Sequence, residues 1–265
     1  MADTTVTAID NLWSNELADN LFLDIHGGQI TPHKLPKNVY TKTAKFLNEG
    51  VKAGFGKVDD SILYNELKVS VFKFSAAKTY QQVVDMQGTL TNDDGTRKSF
   101  AEFKKEAEVI FDQYNKNWLA TEHQAAIRQS QAANKWRDIE RSKSILPFLQ
   151  FQTVNDDRVR PEHAEFDNIT APVDDPIWNT ATPPLDWNCR CILIQLEEDE
   201  ANPTPQSDID ELPDVPEDFA FNPGKEKIIF SEAHPYYDVA PRDQEWKDNN
   251  FGLDIPGEKP QTPEQ

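Results

Sequence analysis

The residues best equipped for chemistry lie between positions 149 and 196. This stretch holds both cysteines of the chain, Cys189 and Cys191, together with His163 and a dense set of charged side chains. An imidazole and two thiols are the nitrogen and sulfur donors that zinc selects. If a strand opens at Cys191, the two-residue spacing leans both thiols to one face, and Asp156, Asp157 or Asp167 would complete four ligands. A zinc held this way could activate water, with Asp156 or Glu162 as the base, which is the chemistry of a metal-dependent hydrolase. The same residues also have a plain structural reading. Two thiols at alternate strand positions are ordinary core, and His163 could simply donate to a backbone carbonyl. The sequence leaves both readings open.

The charged run from Asp156 to His163 offers a carboxylate to orient the imidazole and arginines to hold an anion. As architecture, Asp156, Asp157, Arg158 and Arg160 would tie a long loop together through Arg–carboxylate bonds, with Asn188 and Arg190 at its far end. Two further turns, around Asp175-Pro176 and Pro183-Pro184, each deliver a tryptophan, Trp178 and Trp187. Such rings cover a small core that a loop-rich module cannot otherwise close. No GxGxxG, GxxxxGK[ST], GxSxG or HExxH motif occurs, and no nucleophile stands out, so the balance falls against an enzyme.

The elements that must position these groups suggest an α+β protein, mainly helical at its N-terminal end. Apolar residues at three- and four-residue steps predict helices over 6–25, stopped by Gly27 and Gly28, and from Asn38 to about Ala53. One or two more fall within 60–87, where 68–74 alternates like a strand but is taken as helical. Ser99 and Glu102 form a capping box before an apolar stripe from Phe100 to Tyr114, and an Ala-rich helix runs over 118–143. His123 in that helix reads as an exposed or hydrogen-bonded bystander. Pro147 ends the helical part. Strands are expected at 148–154 and 189–196, paired with each other, with the proline-broken loop between them folded over one end. The resulting division is a helical scaffold (1–144), a small loop-rich α+β module (145–196), an extended acidic linker (197–218), and an extension (219–265). In the extension 225–230 should form a short strand, His234 to Tyr237 and Trp246 to Phe251 should dock by their aromatics, and the last nine residues should fray.

Charge narrows the partners. Residues 1–144 balance 19 acids against 19 bases, whereas residues 192–265 carry 19 acids and 5 bases, within a net charge of −19. Such a surface repels phosphates, which argues against duplex DNA as a ligand, least of all through the acidic tail. No apolar run is long enough to span a membrane, and the N-terminus lacks a basic region followed by an apolar one. Two closely spaced cysteines make no disulfide framework.

Three motifs in fixed order carry a resemblance: TVNDDRVRPEH from Thr153 to His163, VDDPIW from Val173 to Trp178, and PPLDWNCRC from Pro183 to Cys191. Together they resemble the phage Mu protein F-like head morphogenesis family, the minor head proteins of tailed phages and prophages. The resemblance implies a virion role: association with the portal or major capsid protein, a place in the head interior or at the portal vertex, assembly in the bacterial host cytoplasm, and an influence on head assembly and genome delivery. Asp156, Arg158, Arg160, His163, Trp187, Asn188, Cys189, Arg190 and Cys191 fall on the family signature. Many members carry Arg-Thr-Glu in the preceding helix, where this chain reads Arg128-Gln129-Ser130 and keeps the arginine alone. Some bacterial relatives place the module at the head of a toxin-delivery chain, the remaining alternative alongside a zinc hydrolase.

Overall fold

A computed structural model describes Ile9 and residues 11–256. The expected fraying of the last nine residues and the first turn of the first helix lie outside the described residues. The chain divides into two compact units, one of residues 1–49, 68–123 and 235–265, the other of residues 50–67 and 124–234. The described fold is α+β: long helices and one small sheet.

The long helices among the described residues are α1 (Asn15–His26), α2 (Lys37–Phe55), α3 (Ser61–Gly88), α4 (Phe100–Asp112) and α5 (Leu119–Ser142). Ser14 caps α1 by accepting from the Leu17 amide, and Ser99 with Glu102 forms the full capping box on α4. Residues 68–74 are helical within α3. Their alternation misleads because this helix is buried on several sides, at Leu67, Val71, Phe74, Ala77, Tyr80 and Val83. A π-helical segment, Gln113–Trp118, joins α4 to α5, so the two expected helices run on without a loop.

In the first unit, Trp13 and Phe22 meet Phe111 edge-on at centroid distances of 5.6 and 5.8 Å, fixing α1 against α4. The C-terminal aromatics dock within this unit: Phe251 lies 4.8 Å from Tyr80, and Trp246 donates its indole N–H to the Pro32 carbonyl at 2.9 Å. His123 is neither exposed nor hydrogen-bonded through Nδ1. It stacks on Phe46 at 4.4 Å, and burial pushes its pKa down.

In the second unit a three-stranded antiparallel sheet has the order β2-β1-β3, with β1 Phe148–Gln152, β2 Thr170–Pro172 and β3 Ile192–Leu196. Leu149 opposes Ala171 on one side and Gln195 on the other. Leu149 and Phe151 alternate inward and meet Trp136, Ile139, Phe166, Trp178 and Leu193 in one apolar core. The expected pairing of β1 with β3 is present, but β3 begins at Ile192, after both cysteines, and the loop supplies its own strand β2. The end of α2 approaches α5 so closely that a Cβ on Gly54 would run into the Ile127 carbonyl, and Ser130 Oγ donates to the Val51 carbonyl at 2.8 Å.

Two expectations for the C-terminal third need correction. The stretch 197–218 is not simply an extended, solvated linker. Thr204 donates its amide to the Thr170 carbonyl at 2.8 Å and accepts the Thr170 amide on its hydroxyl, while Ile209, Leu212 and Val215 pack against the sheet core. A few well-spaced apolar residues are enough to dock it despite its acidity. Residues 225–230 form no strand. Asn222 accepts from the Gly224 and Lys225 amides and caps a one-turn helix, Pro223–Glu226, whose proline suits the first helical position. Among the described residues, no helix is long and apolar enough to cross a membrane.

Candidate functional site

The site is assembled at the end of the sheet from two loops. On the first, Arg160 is extended (φ −68°, ψ 146°) because Pro161 follows it, and Pro161 starts a one-turn helix, Pro161–Ala164, that carries His163 inward. Phe166, two residues past that turn, inserts beside Phe151 at 5.5 Å and anchors it to the core. On the second loop, Asn188 adopts a left-handed conformation (φ 59°), which asparagine tolerates. This closes a turn in which the Cys189 amide donates to the Asp186 carbonyl at 3.1 Å. Cys189 therefore points inward just before β3, and Cys191 follows at the strand mouth.

The two loops are clamped by charge. Arg190 grips Asp156 with both terminal nitrogens, at 2.7 and 2.6 Å, and Arg160 donates to the Trp187 carbonyl at 2.8 Å while lying 3.4 Å from Asp186. The fork holds the Asp156 carboxyl far below the usual carboxylate range, through the Arg190 hydrogen bond first. Arg158 donates its amide to Asp156 at 3.1 Å and brings its exposed guanidinium to 3.4 Å, and Asp157 is exposed. Asn188 is likewise exposed and acts through its backbone.

Within this frame, one donor atom each from His163, Cys189 and Cys191 lie within 4.8 Å of one another. His163 is 6% exposed and Cys189 5%, with Cys191 half-buried. A hydrogen bond from Cys191 draws the Cys189 thiol down to about 4 against the upward push of burial, and His163 with two backbone amides assists. The same bond and burial push the Cys191 thiol upward. The expected carboxylates do not join the cluster. Asp156 is spent on Arg190, Asp157 faces solvent, and Asp167 Oδ1 accepts the Thr153 amide and hydroxyl at 2.7 and 2.9 Å.

The two tryptophans take different places. Trp178 is fully buried, donates to the Pro172 carbonyl at 2.9 Å, and its own carbonyl accepts from Thr182 and from Asn222. Trp187 is half-buried against Phe219, 5.0 Å edge-on, and His234 at 5.8 Å. Sequence reasoning missed Asn222 and Asp167 as loop pins. It also missed that Arg128 and Lys135 of α5 line, with Cys189, Cys191 and Ile192, one cavity of about 480 Å³. The signal for Arg128 was its place in the Arg128-Gln129-Ser130 triplet. There Gln129 and Ser130 turn inward, and Arg128 remains at the cavity.

Residues 77–194 match the family model described as "Phage Mu protein F like protein". The chain is 37% identical over 78 residues to "Putative capsid assembly protein F" of Escherichia phage Mu, covering 29% of this chain and 18% of that protein. It is 42% identical over 52 residues to "Mu-like prophage FluMu F protein" of Haemophilus influenzae, covering 20% of this chain and 13% of that protein. The chain thus matches less than a fifth of the length of these relatives. No solved structure matches it.

Proposed function

We infer, for a chain whose residues 77–194 belong to the Phage Mu protein F like family, that it is a minor head protein that acts in assembling the phage head and in packaging or delivering the genome. The observation that carries this reading is the 37% identity to a protein titled for capsid assembly. The matched residues begin within α3 and end within β3, so they take in His163, both cysteines and the Asp156–Arg190 clamp. The reading assigns that module a mechanical role. Its loops are pinned by a bidentate ion pair, a buried tryptophan and a buried asparagine, which gives a docking surface that loses little freedom on binding. The partners it fits are proteins of the head shell, the portal or the major capsid protein. A net charge of −19 disfavours a duplex held by phosphate neutralisation. In the virion the chain would sit at the portal vertex or inside the head.

The test is co-expression of the tagged full chain with the portal and major capsid proteins of the phage or prophage that encodes it, followed by sedimentation. The chain is expected to travel with portal rings or capsid assemblies. Migration as a free protein beside both assembled partners would overturn the portal or capsid association.

A further inference from the structure

We propose that His163, Cys189 and Cys191 bind one zinc ion through three protein donors, with the fourth position open to the cavity that α5 shares with the two cysteines. This inference is independent of the assembly role. It rests on the donor set, its geometry and its frame.

The donors are one imidazole and two sulfurs, the set that favours zinc over oxygen-seeking calcium or magnesium. Their nearest atoms lie within 4.8 Å of one another. Tetrahedral zinc, with bonds of about 2.3 Å to sulfur and about 2.0 Å to nitrogen, separates such ligands by roughly 3.5–3.8 Å, so a rotamer adjustment of about 1 Å closes the site. His163 and Cys189 are 6% and 5% exposed. An ion there would be shielded from competing water on the protein side.

The frame is set without the ion. Arg190 and Asp156 join the two donor loops, Arg160 ties the first loop to the Trp187 carbonyl, and the turn at Asn188 fixes Cys189. Metal binding then costs little ordering of backbone. No fourth His, Cys, Asp or Glu joins the cluster among the described residues, and the nearby acids are committed elsewhere or exposed. Cys189 and Cys191 instead line the cavity with Arg128 and Lys135. The fourth ligand is therefore water or a small anion entering from that side.

The experiment uses the full chain purified under reducing conditions from zinc-supplemented medium. Elemental analysis is expected to find about one zinc per chain, as three soft donors at one centre require. Cys189→Ser and Cys191→Ser should each lose it. Because either variant could fail to fold, the unmodified chain is also stripped with a chelator and titrated with cobalt(II). A thiolate-to-cobalt charge-transfer band with tetrahedral visible bands should appear at one equivalent and vanish when zinc is added back. Three results would overturn the proposal: a metal-free chain that gives no cobalt spectrum, an octahedral cobalt spectrum, or a reduced preparation that still carries a Cys189–Cys191 disulfide.

Discussion

Each of the two units buries a polar cluster, and the clusters differ in whether their charges are paired. In the helical unit, Lys78 is 1% and Glu122 3% exposed, joined at 2.7 Å. The Tyr236 hydroxyl bonds both, and the Tyr114 and Tyr236 rings flank the ammonium at 5.4 and 5.2 Å. Burial pushes the lysine pKa down and Glu122 opposes that push. The charges there are matched one for one, which makes the cluster architecture. In the loop-rich unit, an imidazole and two sulfurs converge with no opposite charge among them, at a cavity wall. A buried cluster whose charges cancel needs no ligand, and one of nitrogen and sulfur donors left open at a cavity is where a ligand is expected.

The sharpest way to break this comparison is Lys78→Met. Leaving Glu122 buried and unpaired should cost about 3–5 kcal/mol in urea unfolding, and the double substitution Lys78→Met/Glu122→Leu should recover most of that. A tolerated single substitution would show that the pair is not compensated as described. A smaller effect is expected from Trp178→Phe, which removes the indole donor and leaves space in the core while the Pro172 carbonyl keeps the Asp175 amide, at about 1–3 kcal/mol. Asn222→Ala removes a helix cap and a donor to the Trp178 carbonyl, and about 1–2 kcal/mol should be lost.

The smallest effect separates the clamp from the core. The Asp156 pKa is lowered in the folded state, first by the Arg190 hydrogen bond, so its contribution is full above the ordinary carboxylate range. That contribution fades as pH falls through the range toward the depressed value. Asp156→Asn should therefore lower the melting temperature at neutral pH and converge on the parent chain in acid. A constant offset across that range would mean that the clamp does not act through charge.

Much of this organisation was legible in the residues. Ser99 and Glu102 announced α4, Pro147 marked the end of the long helices, and the spacing of Cys189 from Cys191 with His163 upstream pointed to one site. What stayed hidden has physical causes. The strand β2 is only Thr170–Pro172, too short for a period to register, and is held by its neighbours in the sheet. Acidity outweighed Ile209, Leu212 and Val215, three apolar residues too sparse to read as a docking strip. The residues 225–230 have the composition of a strand, but Asn222 and Pro223 impose a helical turn first. Asp167, expected as a ligand, is claimed by Thr153, a partner that only the folded loop brings near.

The central claim, a role in building the head, is tested most directly in the phage or prophage that encodes the chain. Its gene is deleted, and DNA-filled heads are counted by electron microscopy with and without the full chain supplied in trans. The account expects filled heads to collapse on deletion and to return with the chain. Normal numbers of filled, infectious heads in its absence would contradict it.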